Sequence, residues 1–142
     1  MKLLKNSPLI LLVLAITGCT KSITETELNQ LNGYWEIEKV IFPDGQTKEY
    51  TINETVDFIQ LDSLKGYRKK MKPTFEGTYI TSDDAELFTI LTQEDSFLIN
   101  YTSDGNDWTE TLKTISATNF SVTNSDNISY FYKRYEPINV TE

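Results

Sequence analysis

Cys19 is the single cysteine of a 142-residue chain that contains no histidine. These two facts settle most of the chemistry open to its side chains. A Ser-His-Asp triad, a Cys-His pair and zinc sites of the usual His or Cys type are excluded. Carboxylates, Lys, Tyr and Ser remain. Glu36 and Glu38 stand two apart, as do Thr55 and Asp57, so each pair would share one strand face. Two carboxylates across a cleft can run glycoside hydrolysis. Nothing makes these converge, and acids two apart usually mark a strand's wet side, so the chain reads as non-enzymatic. Asp83-Asp84 and Asp104-Gly105-Asn106-Asp107 lack the order of a calcium loop and read as turns. No metal or cofactor is expected.

Two groups of residues could bind rather than catalyse. Lys65, Arg68, Lys69, Lys70 and Lys72 place five positive charges within eight residues of an acidic chain. They could form an anion-binding rim, or a solvated hairpin whose lysines blunt an edge strand. The chain also carries eight Tyr, seven Phe and two Trp. Such rings line ligand pockets, and they also simply fill small barrels. Tyr79, Tyr101, Trp108 and Tyr132 are the candidates for a lining role.

The start of the chain bears on location. Lys2 and Lys5 precede an apolar run from Leu9 to Ile16. The run is too short for a membrane-spanning helix and suits the core of an export signal. Ile16-Thr17-Gly18-Cys19 then resembles the lipobox of bacterial lipoproteins. The resemblance implies cleavage before Cys19 and lipid on its thiol, which removes the problem of a lone free thiol in an oxidising compartment. Residues 1–18 are thus read as the signal and 19–32 as the tether and a short helix. Thr20 after the cysteine, rather than an acid, implies by analogy an outer-membrane anchor. Of 13 Lys and Arg, 11 remain after cleavage, and the net charge moves from −8 to −10. An acidic domain is a poor partner for nucleic acid, whose phosphates attract cations.

Thr24-Glu25-Thr26-Glu27 has the spacing of a capping box, with Leu28 and Leu31 on one face of the short helix it would open. The alternative is a disordered spacer. From Gly33 the pattern becomes short runs of β-branched and aromatic residues broken by turn clusters, Pro43-Asp44-Gly45 the first. Alternation is cleanest in Phe97, Ile99, Tyr101; in Phe120, Val122; and in Ile128, Tyr130, Tyr132, Arg134. About nine such strands with short connections predict an antiparallel meander, all-β, over residues 33–136, followed by a polar tail, 137–142. Tyr67–Lys72 reads as a polar strand or a loop.

Gly33-Tyr34-Trp35 follows the short helix directly, and Arg134 lies in the last run. Here the chain resembles the lipocalin-like domain lipoproteins of Bacteroidetes-type bacteria. These open strand one with Gly-x-Trp and pack an arginine of the last strand across that Trp. The resemblance implies a closed or half-closed barrel of about 8–10 strands with Gly33, Trp35 and Arg134 at its closed end. An Arg over an indole face gains about 0.5–2 kcal/mol, and only adjacent first and last strands would allow it. The expected role is a non-catalytic envelope module that binds a small apolar ligand or a protein partner, held to the membrane by lipid on Cys19. The alternative is a structural or accessory subunit of an envelope complex with a filled barrel.

Overall fold

The structure, a computed structural model, describes Gly18 and residues 21–137. Residues 1–17 of the expected export signal, Cys19 with its expected lipid, Thr20 and residues 138–142 lie outside the described residues. A 3₁₀ helix, Glu25–Leu31, is capped by Thr24 and Glu27 acting reciprocally: Thr24 Oγ1 accepts from the Glu27 amide, and the Glu27 carboxylate accepts from the Thr24 amide at 2.8 Å. That bond and the Lys21 ammonium hold the Glu27 carboxyl down at a pKa of about 2.

Ten antiparallel strands follow: β1 (Gly33–Ile41), β2 (Thr47–Glu49), β3 (Val56–Asp62), β4 (Lys65–Pro73), β5 (Tyr79–Thr81), β6 (Glu86–Gln93), β7 (Ser96–Ser103), β8 (Asn106–Ile115), β9 (Asn119–Asn124) and β10 (Ser129–Arg134). Eight form a ring in the order β1-β3-β4-β6-β7-β8-β9-β10, and β10 pairs back onto β1, from Trp35 opposite Arg134 to Ile41 opposite Ser129. This is a closed up-and-down barrel, the architecture that lipocalins share. The short β2 and β5 stand beside the upper ends of β1 and β4. Closure leaves none of the eight ring strands as a free edge over its full length.

Alternate residues point into the ring, and they are the apolar ones: Ile59 and Leu61 on β3, Phe88 and Ile90 on β6, Phe97, Ile99 and Tyr101 on β7, Phe120 and Val122 on β9. Two bulges break the alternation. One at Glu38 shifts the pairing between Ile37 and Lys39, so that Ile37 and Val40, three apart, both turn inward. The other follows Leu112 on β8. The 3₁₀ helix plugs one end of the barrel, its Leu28 and Leu31 each 1% exposed. This end is the floor. The opposite end, where the β1–β2, β7–β8 and β9–β10 turns lie, is the mouth. The Asp104-Gly105 turn there has positive φ at both residues, 50° and 79°, the form that matches strand twist.

Candidate functional site

The floor is built around Trp35, which is fully buried. A helix leaves its last carbonyls without partners, and this one has no basic residue in its last turn. Distant groups fill the gap. Trp35 Nε1 donates to Leu31 O at 2.7 Å. Arg134 NH1 donates to Asn32 O at 2.6 Å, NH2 to Gln30 O at 2.9 Å and Nε to Ala117 O at 3.0 Å. Its guanidinium lies 3.7 Å from the Trp35 ring centroid. Gly33 makes room: a Cβ there would fall 2.6 Å from Arg134 NH1, and its φ of +119° is open to glycine almost alone. Gly33, Trp35 and Arg134 therefore form one clamp that fixes helix, first strand and last strand together.

Above this floor the lumen is filled by rings. Trp35 meets Phe120 edge to face at 4.7 Å, and Phe120 stacks on Tyr132 at 4.6 Å. Across the barrel Phe88 meets Tyr101 at 5.4 Å, and Tyr101 stacks on Trp108 at 5.0 Å. Tyr101 and Tyr132 are buried, and Trp108 is half-buried toward the mouth. Tyr79 is elsewhere. It stacks on Tyr34 at 4.4 Å and meets Tyr135. Tyr34 is the neighbour of inward-facing Trp35, so this cluster lies on the outer wall and Tyr79 does not line the lumen.

The basic run is likewise divided by the period of two. On β4, Gly66 and Arg68 turn inward while Tyr67 and Lys69 turn out, where Lys69 Nζ sits 5.8 Å from the Tyr67 ring. Lys65 and Lys72 are exposed. Lys70 reaches over to Asp57. The five charges do not assemble into one anion-binding rim.

Arg68 instead organises a charge cluster inside the upper barrel. Its side chain is 13% exposed, and its guanidinium lies 4.7 Å from the Tyr101 ring centroid. Nε donates to one oxygen of Glu86 at 2.9 Å, and NH2 lies 2.8 Å from the same oxygen in an ion pair. NH1 is 3.9 Å from Glu110 Oε2, too long for a hydrogen bond. Burial disfavours the charge on Arg68, but Tyr101, Tyr132, Asp57 and Glu110 outweigh it and hold the group above its ordinary range. Burial pushes the Glu110 carboxyl up; Arg68 opposes this, and the acids Glu86 and Asp57 add to it. Asp57, diagonal to Arg68 on the neighbouring strand, has Lys70 Nζ 2.6 Å from its Oδ1, without the angles of a hydrogen bond. Among the described residues, Asp57 Oδ1 and Glu110 Oε2 are the buried side-chain oxygens with no hydrogen-bond partner.

These carboxylates overturn the sequence reading of Asp57 as a wet-side acid. Asp57 alternates with Ile59 and Leu61, and Glu110 with Trp108 and Leu112, so both sit on an apolar face; that parity was the available signal. Glu86 carried none. Glu36 and Glu38 form no site: Glu36 pairs with Lys133 at 3.0 Å, and Glu38 is the exposed residue of the bulge. Among the described residues no three Asp, Glu, His or Cys come together as a metal site. Two clefts of 280 and 390 Å³ lie beside Lys21–Ile23 and beside Tyr50 and Lys133, and neither is lined by the Arg68 cluster.

No protein-family model and no curated protein matches the chain. Among solved structures it is similar to a lipocalin-like protein from Bacteroides uniformis ATCC 8492, at 8% identity over 75% of this chain and 99% of that one, with a TM-score of 0.47. It is also similar to a de novo designed fluorescence-activating β-barrel, at 13% identity over 80% of this chain and 100% of that one, with a TM-score of 0.46. The assignment to a closed up-and-down β-barrel rests on the chain's own strand pairing, β10 against β1.

Proposed function

We propose that this chain is a non-catalytic binding module of the cell envelope, anchored by lipid on Cys19, that takes a small molecule at the mouth of its barrel. The observation that carries this reading is the buried acid pair of the upper barrel: Glu110 Oε2 has no hydrogen-bond partner, and Asp57 Oδ1 has only the Lys70 ammonium against it, without hydrogen-bond geometry. A barrel serving only as a scaffold gains nothing from them. Each unsatisfied buried acceptor costs about 1–3 kcal/mol, and more when charged. Apolar residues would fill the same space without that cost. A purely apolar ligand, the simplest expectation for such a barrel, has no lumen of its own here, because the aromatic stacks occupy it. The site lies at the end away from the 3₁₀ helix, so a tether running back from Lys21 would leave the mouth facing away from the membrane.

Native mass spectrometry of the protein from its own host tests the reading. A mass excess that disappears on unfolding is the expected result; a bare mass refutes it. The anchor is tested separately: Cys19→Ala should abolish metabolic labelling by a fatty acid, and full labelling would remove the lipid from the account. One observation favours an accessory subunit instead. Phe75 and Ile52, 98% and 89% exposed, stand on connections at the mouth end and could meet a protein partner.

A further inference from the structure

The charge cluster is arranged in two pairs of the same kind. Asp57 is buried, its side chain 4% exposed, and its partner Lys70 is 62% exposed. Arg68 is 13% exposed, and its partner Glu86 is 36% exposed. Each pair thus has a fixed end inside the barrel and a loose end at the mouth. The loose ends are an ammonium and a carboxylate. Both are long side chains whose own charged ends lose little on returning to water; the cost of the exchange falls on the buried partner, whose charge the incoming ligand must satisfy in their place. Removing them would leave an inward carboxylate and an inward guanidinium on adjacent strands, at diagonal register positions.

We infer that Lys70 and Glu86 stand in for the two charges of the ligand, and that the site takes a small zwitterion bearing an ammonium and a carboxylate, of the α-amino acid class. The inference rests on the small-molecule reading above and supplies the ligand's chemistry. The ligand ammonium replaces Lys70 at Asp57 and offers further N–H donors to Glu110 Oε2, which makes no well-formed hydrogen bond although the Tyr101 hydroxyl lies near its carboxyl. The ligand carboxylate replaces Glu86 on the Nε–NH2 edge of Arg68, a geometry that suits a fork of donors. Trp108, stacked on Tyr101 and half exposed, presents a flat apolar surface to the ligand's side chain. No empty chamber is needed beforehand, because departure of the two mouth side chains makes the space.

The test is calorimetric titration of the full chain in detergent with a panel of the proteinogenic amino acids, followed by the amine and the carboxylic acid analogues of the best binder. The zwitterion should bind at least about tenfold more tightly than either analogue, the ratio that about 1.4 kcal/mol gives. Asp57→Asn should weaken it about tenfold or more. Lys70→Ala should leave it equal or tighter, because it removes only the stand-in. The Lys70 variant keeps every buried group, so it remains informative if Asp57→Asn does not fold. Equal binding of the amine analogue, or weakening by Lys70→Ala, overturns the zwitterion while leaving a small-molecule site in place. If no panel member binds and the host-purified protein still carries a mass excess, the ligand class is wrong and the binding reading survives. If no panel member binds and the host-purified protein has a bare mass, both fall.

Discussion

Replacing Arg134 by Ala should strongly destabilise the floor of the barrel, and the structure sets the size of the loss. The guanidinium holds three carbonyls and covers the Trp35 ring. Ala117 O lies in the β8–β9 turn and regains water when the arginine is gone, so it contributes little. The Gln30 and Asn32 carbonyls belong to the end of the plug helix and are partly buried; at the low end of the range they contribute about 1 kcal/mol each. The contact with the indole adds about 1 kcal/mol. The expected loss is therefore about 3 kcal/mol. Urea unfolding followed by tryptophan fluorescence measures it. With a slope of about 1–3 kcal/mol/M, the midpoint should fall by about 1–3 M. Arg134→Lys keeps the charge without the fork and should recover less than half. Gly33→Ala should also destabilise, for two separable reasons: a strained φ of about 1–3 kcal/mol, and a methyl pressed against NH1. In the Arg134→Ala background only the first remains, so a double-mutant cycle should show coupling of about 1 kcal/mol or more. A loss below about 1 kcal/mol for Arg134→Ala, or strict additivity with Gly33→Ala, would refute the clamp.

Glu110 gives a pH signature. Its carboxyl is raised in the folded state, so the folded protein binds more protons than the unfolded chain just above the ordinary carboxylate range, and this group's contribution makes stability fall as pH rises there. Glu110→Gln should remove that component, seen as a flatter dependence of the urea midpoint on pH between about 4.5 and 7; an unchanged slope would contradict it. Gly66→Ala should lower thermal stability by about 1–3 kcal/mol, because the new methyl would lie 2.7 Å from the Phe88 ring inside the barrel and also meet the backbone of Gln60. Thr24→Ala should cost about 1 kcal/mol through the lost helix cap, measured by the same melts.

Much of the barrel is legible in the sequence because hairpins with short turns preserve the period of two. β7 and β10 show it directly, and the capping box at Thr24 marks the plug helix. The register of β1 is not legible. The bulge at Glu38 inserts one residue, and nothing in Trp35-Glu36-Ile37-Glu38-Lys39-Val40 announces it. The candidate site is hidden for a different reason. A charged residue in an alternating run is normally assigned to the solvent, and that assumption hides Asp57 and Glu110 even though their parity places them with Ile59, Leu61 and Leu112. The basic run misleads in the opposite sense. Five cations close in sequence suggest one patch, yet a strand sends neighbours to opposite faces, and Arg68 is carried inside while Lys69 stays out. Tyr79 belongs to a short strand outside the ring, and its aromatic character alone cannot say which wall it joins.

The β1–β10 seam also orders events in time. Arg134 and the carbonyls it grips are 102 and 104 positions apart, and so distant a pairing makes for slow folding. A chain that has emerged only as far as residue 124 would have an open sheet, with bare hydrogen-bonding groups along β1 and β9 and nothing to quench them. During synthesis, such a chain would be a client for a holdase and a template for its own neighbours. Solubility arrives in one step, when the final strand docks.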